Sequence, residues 1–236
     1  MKRIWLLIVA SLALGIGGLT QALPASAESQ RTTGNAKLIP GSGSKPVDPK
    51  DPEGTGKPFP GDSKDPNNKG TGSTGLLTLD YISNLKFTQD QTVNGVIDAT
   101  ATNHKAFVQV SDRRATGTGW NLMLKPEPLV GKSDSSVSIS AATLTLGNAY
   151  FLSSGGNVSR APTVTTGATE ALPVGSYSLV AQAQNVPGNR QGVGTWLLRL
   201  NTSNSEPTRL SVLAAAVTKQ QTYEGDLSWL LTDTPQ

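Results

Sequence analysis

The sequence contains no cysteine and a single histidine, and aromatic residues make up only 5% of its 236 residues. Without cysteine, the chain has no disulfide, no thiolate metal ligand, no cysteine nucleophile and no lipid-modified cysteine. The one histidine, His104, leaves too few ligands for a structural zinc site. We therefore expect no metal or cofactor, and we expect a packed core to supply the stability.

An excess of positive charge is also missing from the part of the chain that we expect to fold. The formal net charge of +3 includes Lys2 and Arg3 of the N-terminal segment. Residues 28–72 carry seven basic and six acidic residues, and residues 73–236 carry eleven of each. A nucleic-acid-binding arm or domain would be strongly basic. We therefore expect no nucleic-acid partner.

No pattern of residues indicates catalysis. His104 has no adjacent acid and nucleophile in the sequence, and a general base needs both in hydrogen-bond reach. A pair of carboxylates could hydrolyse a glycosidic bond, but the candidate acids are scattered among turns. They are Asp112, Glu127, Glu170 and Glu224. We expect the protein not to be an enzyme.

The first 27 residues have the pattern of a secretory signal peptide. Two basic residues precede an apolar run from residue 4 to 19, and the segment ends in ALPASA, where small residues suit a signal peptidase. Serine and three glycines interrupt the run, which is too short and too broken for a membrane anchor. We expect cleavage between Ala27 and Glu28, a secreted product, and no membrane span in the mature chain.

Residues 28–72 form a second segment, rich in glycine, proline, serine, lysine and aspartate. Between residues 40 and 74, Val47 and Phe59 are almost the only large apolar residues. Such a composition buries too little apolar surface to offset the entropy of ordering. We expect a disordered linker that spaces the following domain from a surface.

Residues 73–236 are long enough for one domain with a substantial core. Short stretches of alternating apolar and polar residues recur, separated by turn signals such as Asn94-Gly95 and Pro187-Gly188. The alternation predicts that Leu77, Leu79 and Tyr81 share one face of a strand, as do Tyr177, Leu179 and Ala181. Only residues 210–220 are compatible with either a short helix or a strand. We predict an all-β fold, an immunoglobulin-like β-sandwich, as a single domain after a disordered N-terminal arm.

A tryptophan two residues before a leucine occurs three times in this domain. Trp120, Trp196 and Trp229 each stand in an alternating stretch that includes leucines. Strand periodicity places each tryptophan and its leucines on one face. The last stretch, residues 223–235, reads as one strand that must pair with strands formed earlier in the chain.

Three blocks of this sequence resemble those of WxL-domain surface proteins of Gram-positive bacteria. They are GLLTLDYISNLKF, TGTGWNLMLK and TYEGDLSWLLTDTP. The resemblance implies non-covalent attachment to peptidoglycan or another cell-wall polymer, with a membrane-anchored WxL-interacting protein as a further partner. The residues that it implies for binding are those of two W-x-L motifs: Trp120, Asn121, Leu122, Trp229, Leu230 and Leu231.

Two questions stay open from the sequence. The tryptophans can be core residues, as alternation with leucine favours, or an exposed binding surface on which sugars stack. The domain can bind the wall, or it can be an adhesin or structural module that binds host matrix or another surface protein. A wall hydrolase fits the compartment but lacks a visible active site. Because the chain ends LTDTPQ without a sortase signal, we expect retention at the surface to be non-covalent.

Overall fold

Antiparallel strands connected by glycine-containing turns make up the computed structural model, which describes residues 42–165 and 170–233. The predicted signal peptide, the bond between Ala27 and Glu28 and the first part of the predicted linker lie outside these residues. In chain order the strands are β1 (Leu77–Ile82), β2 (Phe87–Val93), β3 (Val96–Ala101), β4 (Phe107–Asp112), β5 (Trp120–Pro126), β6 (Leu129–Gly131), β7 (Ser138–Ile139), β8 (Ala142–Thr145), β9 (Tyr150–Ser153), β10 (Thr163–Val164), β11 (Leu172–Pro173), β12 (Ser178–Ala183), β13 (Asn185–Val186), β14 (Asn189–Arg190), β15 (Gly194–Arg199), β16 (Arg209–Leu213), β17 (Tyr223–Glu224) and β18 (Leu227–Thr232).

Three larger sheets contain most of these strands. Sheet I has the order β1-β4-β15-β9, sheet II the order β10-β12-β5-β18, and sheet III the order β11-β8-β16-β3-β2. Two small sheets, β13-β14 and β17-β6-β7, complete the fold, and the paired strands of every sheet are antiparallel. The predicted all-β fold class is confirmed.

The main core lies between sheet I on one side and sheets II and III on the other. It contains the inward-facing apolar side chains of β4, β5, β12 and β15, together with leucines of β8 and β11. The predicted faces of the Trp120 and Trp196 strands are correct, since Leu122, Leu124, Leu198 and Leu200 all lie in this core. A smaller core around Ile139 joins sheet III to the β17-β6-β7 sheet.

The predicted disordered linker is wrong for the part that the structure describes. Residues 42–72, which we call the N-terminal arm, cross the outer face of sheet I and bond to it. The Lys50 backbone N–H donates to Gln109 Oε1 at 2.8 Å, and Arg199 donates to the Pro52 carbonyl at 2.7 Å. Composition failed here because the arm is held largely by polar side chains that belong to the sheet, and brings only one aromatic anchor of its own.

One aromatic residue of the arm closes a second small core. Phe59 packs edge-on against Tyr81 and Phe107, with ring centroids 5.2 and 5.0 Å away. Tyr81 and Phe107 are themselves stacked at 4.5 Å, and Leu197 completes the cluster. Burial raises the pKa of Tyr81 to about 12. The outer face of sheet I is therefore an interior surface, covered by the arm.

A buried polar network lies beside this aromatic cluster. Both carboxylate oxygens of Asp80 accept hydrogen bonds, from Thr78 and Ser111 at 2.6 Å and from Gln109 at 3.0 Å. Burial raises the pKa of Asp80 because the ionised form loses solvation, while these donors oppose the shift. Gln109 also donates to the Asp48 carbonyl at 3.2 Å, so the network joins sheet I to the arm.

In two strands, a β-bulge changes which face of the sheet the later residues point to, so the predicted orientation of these residues is wrong. The register of β1 shifts between Leu79 and Tyr81, so Leu79 faces the main core and Tyr81 the arm. The register of β12 shifts in the same way between Leu179 and Ala181. Each bulge inserts one residue, which turns the rest of the strand over. Simple alternation cannot foresee this.

The C-terminal elements also differ from the simplest expectation. The predicted strand over residues 223–235 is divided at Gly225 and Asp226 into β17 and β18, which join different sheets. Residues 210–220, for which the sequence allowed a short helix or a strand, contain one of each: most of β16, followed by a short 3-10 helix, Ala214–Ala216. Within residues 42–165 and 170–233, no helix is long and apolar enough to cross a membrane.

Candidate functional site

The two W-x-L motifs that the sequence singled out are brought together on neighbouring strands. β5 and β18 pair antiparallel in sheet II, with Trp229 opposite Leu124 and Leu231 opposite Leu122. All four side chains face the main core. Trp196 lies apart from them, on β15 of sheet I.

Trp120 is an interior residue with no exposed surface. Its Nε1–H donates to the Gly192 carbonyl at 3.2 Å, and its ring meets Phe151 edge-on with centroids 6.1 Å apart. Gly192 has a φ of +72°, and a Cβ there would lie 2.7 Å from Trp120 Nε1 and 2.4 Å from the Ala183 Cβ. Glycine is therefore required where this turn covers the indole ring. Trp120 acts in the fold and cannot touch a ligand.

The other predicted binding residues divide between the interior and the surface. Leu122 is fully buried and Asn121 is 3% exposed. Trp229 and Leu231 are half-buried against the core, because β18 is the last strand of sheet II. Leu230, between them, points away from the core and is 39% exposed. Of the six, only Leu230 presents a large area to solvent.

The outer face of sheet II is the surface on which Leu230 lies. Leu230 and Leu179 are both opposite Met123, one on each side of it, which makes a row of apolar side chains across β12, β5 and β18. Tyr177, 44% exposed, stands beside this row at the start of β12. In contrast to sheet I, no residue of the described arm bonds to this face. In the sequence, this face corresponds to the residues that alternate with the core-facing tryptophans and leucines of the same strands.

Paired charges border the apolar row. Lys125 Nζ lies 2.7 Å from Glu127 Oε1 and 5.2 Å from the centre of the Tyr177 ring, and Ser228 donates to Glu127 at 2.8 Å. The hydrogen bond between Lys125 and Glu127 raises the pKa of the lysine and lowers that of the glutamate. Both side chains are thus charged at neutral pH, and the lysine lies over the Tyr177 ring.

A shallow groove continues from Glu127 toward the β17-β6-β7 sheet. Its volume is about 520 Å³, and its lining residues are Glu127, Pro128, Val130, Ser138, Glu224, Gly225 and Asp226. Lys132 forms an ion pair with Glu224. The groove thus presents carboxylates, one hydroxyl and a small apolar area to a ligand bound there.

The remaining acids and arginines considered in the sequence serve the fold. Asp112 is buried and accepts two hydrogen bonds from the Arg114 guanidinium, at 3.0 and 2.9 Å. Arg113 donates to the Gly75 carbonyl next to the arm. Glu170 and His104 are exposed, and both lie outside the strands. In residues 42–165 and 170–233, no three His, Cys, Asp or Glu residues come together as metal ligands would.

The fold is thus an all-β module in which the arm covers the outer face of sheet I, and the described part of the outer face of sheet II carries the exposed side chains of Tyr177 and Leu230. The chain belongs to the WxL family, because the family model described as WxL domain surface cell wall-binding matches residues 25–235. The resemblance found in the sequence is confirmed, and at the family level the chain is a cell-wall-binding surface protein. The match begins well before residue 73, as expected if the arm belongs to the domain. Neither curated proteins nor solved structures gave a match.

Proposed function

We propose that this protein is secreted, is not an enzyme, and attaches non-covalently to peptidoglycan or to a wall-held partner through the outer face of sheet II. The observation that supports the proposal is the contrast between the two sheets: the arm covers sheet I, while none of the described residues covers Tyr177 and Leu230, which are 44% and 39% exposed. Wall binding by the family supports the choice of partner. The core-facing residues of the W-x-L motifs then support this face from the opposite side of sheet II.

The chemistry of the face suits a glycan that carries short peptides. An exposed aromatic ring such as Tyr177 can stack on the apolar face of a sugar. Lys125 and Glu127, fixed beside the ring, can bind the charged groups of a peptide stem or the hydroxyls of the sugar. The groove beyond Glu127 would extend the contact.

Replacing Tyr177 by serine should therefore weaken wall binding without unfolding the domain. We expect roughly a tenfold lower affinity, the order of effect when one exposed stacking aromatic is truncated. The measurement is cosedimentation of the purified mature protein with protein-free peptidoglycan sacculi. Tyr150→Ser is the matched control, because Tyr150 is 39% exposed but lies on β9 of sheet I. Equal binding by both variants would exclude the outer face of sheet II as the site.

The apolar row favours a second candidate, a protein partner at the same face. Met123, Leu179 and Leu230 together form an apolar strip of the kind found at the centre of protein interfaces. Such a partner can be a membrane-anchored WxL-interacting protein or, for an adhesin, a host matrix protein. Binding to matrix proteins with no binding to sacculi would favour the adhesin, and loss of turbidity of a wall suspension would indicate a hydrolase.

The secretion proposal has its own test. The protein recovered from the medium or the cell surface should begin at Glu28, as intact-mass spectrometry would show. A control substitution of Ala27 by a large charged residue should block this cleavage, because signal peptidases require a small residue there. Recovery of an unprocessed extracellular chain that begins at Met1 would overturn the proposal.

A further inference from the structure

Within residues 42–165 and 170–233, β18 pairs with another strand on one side only, and its other edge is unusually open to an added strand. It is the last strand of sheet II, six residues long, with the sequence LSWLLT. It contains no charged residue and no proline, and its register with β5 is continuous. Charges, prolines and bulges are the devices that normally prevent edge strands from pairing with other chains.

The other edge strands of the three large sheets are protected in the part of the chain that the structure describes. β1 is bulged, and its edge is covered by the arm, where the Thr71 N–H donates to the Asp80 carbonyl at 2.9 Å. β2 is bulged between Gln89 and Gln91. β9 has four residues, and β10 and β11 have two each. β18 is thus the exception.

The inward side of β18 is also incompletely covered. Trp229 and Leu231 are only half-buried, whereas Trp120 and Leu122 on the neighbouring β5 are completely buried. Only part of each side chain is exposed, since the Nε1–H of Trp229 is already buried, without a hydrogen-bond acceptor among the described residues. A strand added beside β18 would complete the burial of these side chains, at about 25 cal/mol for each Å² of apolar surface removed from water.

We propose that this strand is β18 of a second copy of the chain, paired antiparallel about a twofold axis at Leu230. The sequence around Leu230 is chemically palindromic, which is what an isologous strand pair requires. Ser228 would face Thr232 of the partner subunit, and Trp229 would face Leu231 of the partner subunit. Small hydroxyl residues thus pair with each other on the outer face, and large apolar residues pair on the inner face.

The pairing also continues the apolar row of the outer face. Leu230 would lie beside Leu230 of the partner subunit, so the row from Leu179 through Met123 runs on into the second copy. Since β18 carries no charge, like-charge repulsion does not oppose the contact. The product is one eight-stranded sheet in place of two sheets of four.

The dimer would place both outer faces on the same side of the joined sheet. If those faces bind the wall, as proposed above, attachment becomes bivalent, and the second contact forms within an already bound molecule. The dimer itself does not depend on wall binding. Its test uses the protein in solution, so failure of one proposal can be told from failure of the other.

The test compares matched variants on two edge strands by sedimentation velocity of the mature protein over a range of concentrations. We expect wild type to be dimeric and Leu230→Lys to dissociate at least roughly tenfold more readily, because two lysines would meet at the axis and apolar burial would be lost. Val93→Lys, at a site 46% exposed on β2, should leave the dimer intact. Unchanged melting of both variants would show that the fold is preserved.

A cross-link decides the case if the lysine variant fails to fold. Because the chain has no cysteine, Leu230→Cys places a single thiol at the axis. Side chains directly opposite in antiparallel strands have Cβ atoms about 4.5–5.5 Å apart, close enough for a disulfide after a small adjustment. Mild oxidation should link this variant but not Val93→Cys. A monomeric wild type, equal dimerisation of both lysine variants, or no selective link through residue 230 would each overturn the proposal.

Discussion

Replacing Trp120 by alanine should lower the free energy of unfolding by about 3–5 kcal/mol, the usual cost of truncating a buried tryptophan. The ring has no exposed surface, packs on Phe151, and donates its N–H to the Gly192 carbonyl. Truncation would leave a cavity and an unpaired carbonyl under a turn that has no freedom to collapse. Chemical denaturation followed by intrinsic fluorescence or circular dichroism measures the loss.

Controls separate the role of Trp120 in the fold from a role in binding. Trp229→Ala should cost clearly less, because Trp229 is half-buried at the edge of sheet II. At temperatures where Trp120→Ala is still folded, its affinity for sacculi should equal that of wild type. A variant that keeps its stability but loses wall binding would mean that the indole contacts the wall, contrary to its burial.

Removing the Phe59 ring should free the N-terminal arm from sheet I. Phe59 is the arm's only aromatic anchor, set between Tyr81 and Phe107. Because it is half-buried, we expect Phe59→Ala to destabilise the closed arm by about 2 kcal/mol, which makes the open form roughly 30-fold more populated. Trypsin should then cut after Lys64 and Lys69, two exposed lysines of the arm that no proline follows, faster by a similar factor.

The comparison for this experiment is made within the arm. Ser63→Ala changes an exposed residue of the same segment and should leave the cleavage rate unaltered. In wild type the arm should resist trypsin under conditions that digest an unfolded lysine-containing peptide within minutes. Rapid cleavage of wild type at these lysines would show that the arm does not stay on the sheet.

Much of the fold follows from alternation, and the failures have specific physical causes. The faces of the Trp120 and Trp196 strands are as predicted because both strands are regular and carry their leucines at every second position. The prediction failed for Tyr81 and Ala181 because a bulge in each strand shifts the alternation by one residue. A bulge depends on the pairing partner, which no local pattern contains.

The arm was missed for a different reason. Composition measures how much apolar surface a segment brings with it, and the arm brings little besides Phe59. It is ordered by donors and acceptors that sheet I provides, among them Gln109 and Arg199. These polar residues stand at outward positions of ordinary strands, where solvent exposure is the natural expectation. Their burial becomes visible only when the arm is in place.

The sequence named the two strands of the candidate site and one of its exposed side chains, Leu230, but not Tyr177, Met123 or Leu179. The W-x-L motifs identify β5 and β18, and the sequence left open whether their tryptophans belong to the core or to the surface. The structure places Trp120 in the interior, Trp229 half-buried at the edge of sheet II and Leu230 at the surface, while Asn121, the intervening residue of the first motif, is buried. Tyr177 could not be anticipated, because its place beside Lys125 depends on the bulge that follows it in β12.

The arm also has a consequence for how the sequence of this domain can change in evolution. All six residues of β4 are buried: Val108 and Val110 lie in the main core, Phe107 and Gln109 contact the arm, and Ser111 and Asp112 are held by hydrogen bonds to neighbouring residues. A strand at the surface of a sandwich can usually vary at every second position, but β4 has no such position. Sequence change should instead be concentrated on the solvent-facing strand β2. A substitution in β4 would need a compensating change either in the main core or in the arm, which is distant in sequence and includes Asp48.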